Sequence, residues 1–186
     1  MSVVDAEEAR IALHGGADIV DVKNPAEGSL GAPSPGVIRG VRDAVPRHLP
    51  LSVALGDMPN LPGTAALAAA GAAACGATYV KVGLWGTSTE REATRLLEAV
   101  AEAVEGYPGV SVVAAAYADA ERVPSRPLQP QALVGVARAA GVAGCLLDTA
   151  VKDGRGLLDW LEPGELAGLV AQAHAAGLEM AFAGGL

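Results

Sequence analysis

Four times along this chain a helical run closes on a glycine that is followed at once by an apolar, strand-like run: at Gly16-Ala17, Gly76-Ala77, Gly141-Val142 and Gly177-Leu178. Glycine there supplies the left-handed residue that ends a helix. Between these points the apolar spacing switches from about four residues to two and back. The spacing predicts strands over 17–22, 51–55, 78–82, 110–115, 143–148 and 178–182, with a stub around Val3-Val4. Helices alternate with them. Asp5 with Glu8 three residues on resembles a capping box, and Thr89 with Glu92 is a better one. Behind the second, Ala93, Leu96, Leu97, Val100 and Val104 keep helical spacing. Pro35 and Pro62 open two more helices, and residues 130–140 and 163–176 complete the set. A strand–helix alternation implies a parallel sheet with helices covering its apolar strands.

Composition narrows the class of function. Half the residues are hydrophobic and the net charge is −8, so the chain is globular, and neither nucleic acid nor an anionic membrane is expected as a partner. Cys75 and Cys145 lie far apart in small-residue or apolar runs and read as reduced core residues of a cytoplasmic protein. No CxxC pair or Cys/His cluster points to a metal, and no cofactor is implied. His14 and His174 read as surface residues near helix ends.

The lysines point to chemistry. Ten of the thirteen basic residues are arginine, and the only lysines are Lys23, Lys81 and Lys152. Each follows a strand-like run: Ile19-Val20, Tyr79-Val80 and Cys145-Leu146-Leu147. A lysine kept in a chain that otherwise uses arginine indicates a need for an amine, which can lose its proton and attack a carbonyl. An unperturbed lysine, with a pKa of ~10.4, leaves only about one amine in 2,500 neutral at pH 7, so such a site has to favour the free base.

Acids accompany the amines. Asp21 and Lys23, two residues apart on a strand that Pro25 terminates, leave it side by side. They form either a surface ion pair or the start of a site. Asp57, Asp119 and Asp148 also follow strands. Asp57 and Asp119 are as fitted to bind loop amides as to move protons. An open doubly wound sheet recruits few strands at its switch point, whereas a barrel gathers all its strand ends round one mouth. Functional groups after five different strands favour a TIM (β/α)8-type barrel. Six full strands and a stub fall short of eight, so the barrel is expected to be incomplete: a stub of a first strand and no eighth βα unit. Residues 1–186 are expected to form one domain, and the 186-residue chain by itself to associate or to work weakly.

The motifs Asp21-Val22-Lys23-Asn24-Pro25 with Gly28-Ser29-Leu30-Gly31, Tyr79-Val80-Lys81-Val82-Gly83-Leu84, Tyr117-Ala118-Asp119 and Leu147-Asp148-Thr149-Ala150-Val151-Lys152-Asp153-Gly154 resemble those of the (5-formylfuran-3-yl)methyl phosphate synthases, or 4-HFC-P synthases. The similarity runs through nearly the whole chain in order. It implies a TIM barrel of methanofuran biosynthesis, a lyase that joins two glyceraldehyde 3-phosphates into a furan aldehyde phosphate, releasing phosphate and water. It implies Lys23 as the Schiff-base lysine and Lys81 as the proton acceptor, with Asp21, Asp148 and Lys152 at further active-site positions. Gly184 and Gly185 match the first part of the family's phosphate site, and relative to the family the chain is truncated at its C-terminal end. Spacing alone does not tell which lysine is the nucleophile. Two alternatives stand beside this reading: another class I aldolase acting on a sugar phosphate, and a non-catalytic incomplete barrel that binds phosphorylated metabolites. Oligomeric state is left open, a homo-oligomer included.

Overall fold

The computed structural model describes residues 1–185. Seven strands are present: β1 (Ser2–Val3), β2 (Val20–Val22), β3 (Leu51–Asp57), β4 (Tyr79–Gly83), β5 (Ser111–Tyr117), β6 (Gly144–Asp148) and β7 (Glu179–Phe182). Six α-helices separate them: α1 (Ala6–His14), α2 (Pro35–Ala44), α3 (Pro62–Ala74), α4 (Glu90–Val104), α5 (Leu133–Ala139) and α6 (Pro163–Ala175). All neighbouring strands are parallel, and the order across the sheet is the order along the chain. No strand order reverses, so there is no switch point of the doubly wound kind.

The four glycine exits behave alike. Gly16, Gly76, Gly141 and Gly177 all have positive φ, between 67° and 94°. In each, the next residue's amide reaches back to a carbonyl five residues earlier: Ala17 to Ala12, Ala77 to Ala72, Val142 to Ala137 and Leu178 to Ala173. This is the Schellman closure, which consumes orphan helix carbonyls and turns the chain into the next strand. It also explains why β2 starts at Val20 rather than at 17, because residue 17 is spent on closing α1. At the other helix ends, Thr89 and Glu92 form the expected box. At Asp5 only half of it forms: its carboxylate accepts from Glu7 and Glu8, but Glu8 reaches the Val4 amide instead of that of Asp5.

The sheet is curled. The hydroxyl of Ser29, after β2, donates to the carbonyl of Thr149, after β6, over 2.8 Å. In a flat sheet those strands would stand about 19 Å apart. One face packs on the helices: Val20, Val22, Val53, Val80, Val82, Val112, Cys145 and Leu147 join α-helical Leu96, Leu97, Leu133 and Leu169 in the main core. Both cysteines are free and buried there, and burial pushes the Cys145 thiol up to about 11. The other face lines a cavity of about 360 Å³ that every strand reaches, through Ser2, Asp21, Ser52, Lys81, Val113, Asp148 and Ala181. A small second cluster of Leu30, Ala54, Ala115, Tyr117 and Leu146 fills part of this interior. Among the described residues no helix is long and apolar enough to cross a membrane.

Candidate active site

The register puts the polar residues on the inner face. Ser2 stands beside Asp21, Asp21 beside Ser52, Lys81 between Ala54 and Val113, and Tyr117 beside Asp148. Residues i and i+2 share a face, so Lys23 follows Asp21 inward.

The expected pairing of Asp21 with Lys23 does not form. Asp21 Oδ2 instead accepts from Lys81 Nζ over 2.7 Å and from Ser2 Oγ over 2.9 Å. The reason is geometric. Neighbours i and i+2 point the same way and stand roughly 6.5 Å apart along a strand, whereas curling tips β2 and β4 toward each other across the interior. Lys81 lies in the middle of β4, not past its end. Both partners of the ion pair are nearly enclosed, at 12% and 13% side-chain exposure. Burial alone would raise the Asp21 carboxyl. The Lys81 charge and hydrogen bond, with the Ser2 and Ser52 hydroxyls, outweigh it and hold the carboxyl below its ordinary value. Asp21 Oδ1 is buried without a partner, an arrangement that costs about 1–3 kcal/mol unless something binds there.

Lys23 Nζ donates to the Ser29 carbonyl over 3.4 Å. That carbonyl belongs to the loop 28–31, which the Asn24 amide closes on Gly31 O. Asp148 is fully buried; its Oδ1 accepts from Lys152 Nζ over 2.8 Å and from the Thr149 amide over 2.7 Å. Lys152 Nζ also donates to Thr149 O and Oγ1, and half its side chain is exposed.

Gly184 fits against the same group. A Cβ added there would lie 2.7 Å from the Thr149 amide and 3.0 Å from Asp148 Oδ1, and its φ is +95°. The Leu157 amide holds the Gly184 carbonyl, and Gly185 packs on Gly156. Asp21, Lys23, Lys81 and Asp148 therefore share one cavity wall. Lys152 and Gly184 join it through Asp148, while Gly185 sits one contact farther out.

Asp119 binds amides: its two oxygens accept from Ala150 and Val151, which fixes the start of the loop carrying Lys152. Asp57 accepts from the Tyr117 hydroxyl. Ser29, Thr149 and Tyr117 are the contacts that residue type and spacing did not reveal. The only sequence signals for them are the glycines at 28 and 31 and a lone tyrosine ending an alanine run.

This wall presents amines, carboxylates and a buried free acceptor in one enclosed space, which suits carbonyl and proton-transfer chemistry. The fold is shared with an oxaloacetate acetylhydrolase structure, at a TM-score of 0.59 and 16% identity over 98% of this chain and 73% of that one. That likeness speaks to fold alone. Sequence relatives are much nearer. A (5-formylfuran-3-yl)methyl phosphate synthase of Methanothermobacter thermautotrophicus is 48% identical over 184 residues, covering 99% of this chain and 77% of the relative. That of Methanocaldococcus jannaschii is 46% identical over 187 residues, covering 100% and 79%. The family model described as 4-HFC-P synthase matches residues 1–186. By that match and by this identity along its whole length, the chain is an enzyme and belongs to the 4-HFC-P synthase family.

Proposed function

We propose that this enzyme is a lyase that condenses two molecules of glyceraldehyde 3-phosphate into (5-formylfuran-3-yl)methyl phosphate through a Schiff base on Lys23. The observation that carries the reading is the convergence of Lys23, Lys81, Asp21 and Asp148 on one cavity reached by all seven strands. The relatives' name supplies the product.

Lys23 Nζ attacks the aldehyde carbon, and the iminium formed withdraws electrons from the neighbouring carbon. The Lys81 ammonium, held in place by Asp21, gives its proton to the hydroxyl that leaves as water when the iminium forms, and the free amine then takes the proton from that neighbouring carbon. The resulting enamine expels phosphate from the next carbon, and that carbon, as the nucleophilic end of the enol so formed, adds to the central carbon of the second triose phosphate after proton transfer has turned its aldehyde into the ketone. The free Asp21 Oδ1 is an acceptor for a substrate hydroxyl. Lys152, with the Gly184-Gly185 loop, faces the phosphate that is retained. Atoms balance when one phosphate and two waters leave for each furan formed.

The fold that fits this site is a (β/α)8-type barrel formed as one domain, lacking its eighth βα unit among the described residues. Its place of work is the cytoplasm, where a triose phosphate substrate is at hand.

Incubation with glyceraldehyde 3-phosphate alone tests the reaction. The expected result is an ultraviolet-absorbing furan aldehyde with one inorganic phosphate per furan. A six-carbon aldol product that retains both phosphates would make the enzyme an ordinary class I aldolase. Saturable binding with no turnover would leave a non-catalytic metabolite binder.

A further inference from the structure

Asp57 ends β3 in a slot that only glycine leaves open. A Cβ on Gly28 would overlap its Oδ2, and one on Gly83 would press on both its Oδ1 and the Tyr117 hydroxyl. The Tyr117 hydroxyl donates to this carboxylate, and the loop 28–31 lies over it with Gly28 against Oδ2; burial, only partly offset by the Tyr117 hydroxyl and the Leu30 and Ser29 backbone, holds the acid above its ordinary value. Tyr117 has no exposed surface, and Trp85 stands edge-on to its ring at 5.5 Å and 86°. Burial, then the Asp57 charge, pushes the phenol well above its ordinary value, so it stays the donor.

Neither Asp57 nor Tyr117 lines the cavity that holds Lys23. What they grip is the loop 28–31. Leu30 of that loop is fully buried against Ala54, Ala115 and Tyr117. Ser29, next to it, faces both ways: its carbonyl accepts from Lys23 Nζ, and its hydroxyl donates to Thr149 O. That same Thr149 oxygen accepts from Lys152 Nζ over 2.7 Å. A continuous chain of contacts thus runs from Tyr117 through Asp57 and the loop 28–31 to two of the three lysines. A carboxylate accepts from the hydroxyl with one oxygen and keeps the other against the loop backbone, which no apolar residue of that volume does.

We propose that Asp57 and Tyr117 are positioning residues: their pair clamps the loop 28–31 so that Ser29 aims the Lys23 amine and ties it to the loop carrying Lys152. The inference rests on Lys23 being the reactive amine, and it adds residues that act through Ser29 without touching substrate. A misplacement of about 1 Å at a reacting group is worth on the order of a hundredfold in rate, so the clamp is felt in turnover more than in binding.

The test uses the whole chain as wild type, Asp57→Ala, Asp57→Asn and Tyr117→Phe, with borohydride and glyceraldehyde 3-phosphate as probe. Rates are expressed per folded molecule. In Asp57→Ala and Tyr117→Phe, kcat and the Lys23 adduct are expected to fall about tenfold or more, with KM within about threefold. Amide exchange at Ser29 and Leu30 should quicken in parallel. Asp57→Asn, whose carboxamide oxygen still accepts from the Tyr117 hydroxyl, should recover most of the loss. Tyr117→Phe keeps the ring against Trp85 and carries the test should Asp57→Ala not fold. Folded variants with wild-type kcat and wild-type Lys23 trapping would overturn the clamp while leaving the Lys23 assignment intact. A wild-type adduct on Lys81 or Lys152 instead of Lys23 would overturn that assignment, and with it the clamp, before any variant is made.

Discussion

Replacing Lys23 or Lys81 by arginine is expected to lower turnover by about a hundredfold or more, with the protein still folded. Arginine preserves the positive charge that Asp21 and the Ser29 carbonyl face, but a guanidinium does not become a free amine in a protein. The substitution therefore separates charge from reactivity. Lys152→Arg is expected to be milder. Its side chain is half exposed and its ammonium is already held by Asp148 and Thr149, an arrangement suited to binding phosphate. Steady-state rates of the three variants, each with an unfolding curve, check this. Near-normal turnover in all three would mean that the lysines serve only as charges and that their scarcity in an arginine-rich chain is coincidence.

Asp21→Asn is expected to destabilise the fold by about 3 kcal/mol or more, because it leaves the nearly enclosed Lys81 ammonium without its counter-charge. Replacing both partners, Asp21→Leu with Lys81→Met, should return most of that stability, since an apolar pair needs no compensation in this interior. The effect has a definite pH sign. The native carboxyl sits below its ordinary value, so the folded state binds its proton less readily than the unfolded chain. Its stabilisation is then complete above the ordinary carboxyl range, near pH 4, and is lost as pH falls through the lowered native value. Urea midpoints of wild type and Asp21→Asn should differ most at neutral pH and converge in acid. A difference that stays flat or widens down to pH 2 would contradict the ion-pair account.

Local features were legible in the sequence wherever the physics is local. The four glycine exits, the Thr89–Glu92 box and the apolar stripe of α4 depend on residues within one turn of each other, and the structure has them as expected. The count of six strands and a stub also agrees with the sheet. Strand ends agreed less well. Strands β3 and β5 run on to Asp57 and Tyr117 because their neighbours offer partners at Gly83 and Asp148, and those partners come from the register of another strand. Residues 130–132 form a separate 3-10 turn before α5. At the site, the residues that could carry chemistry stood out through type and spacing, but their partners did not. Asp21 meets Lys81, sixty residues away, and Ser29 meets Thr149, 120 residues away. Both contacts exist because the sheet curls, a property of all seven strands together that no single stretch encodes.

The central claim is that Lys23 supplies the amine that attacks the substrate carbonyl. Borohydride reduction of the wild-type enzyme during turnover of glyceraldehyde 3-phosphate, followed by peptide mass spectrometry, measures this directly. The account predicts a covalent three-carbon or larger adduct on the peptide containing Lys23, absent from Lys23→Arg. An adduct confined to Lys81 or Lys152, or none at all in a protein that is making product, would contradict it.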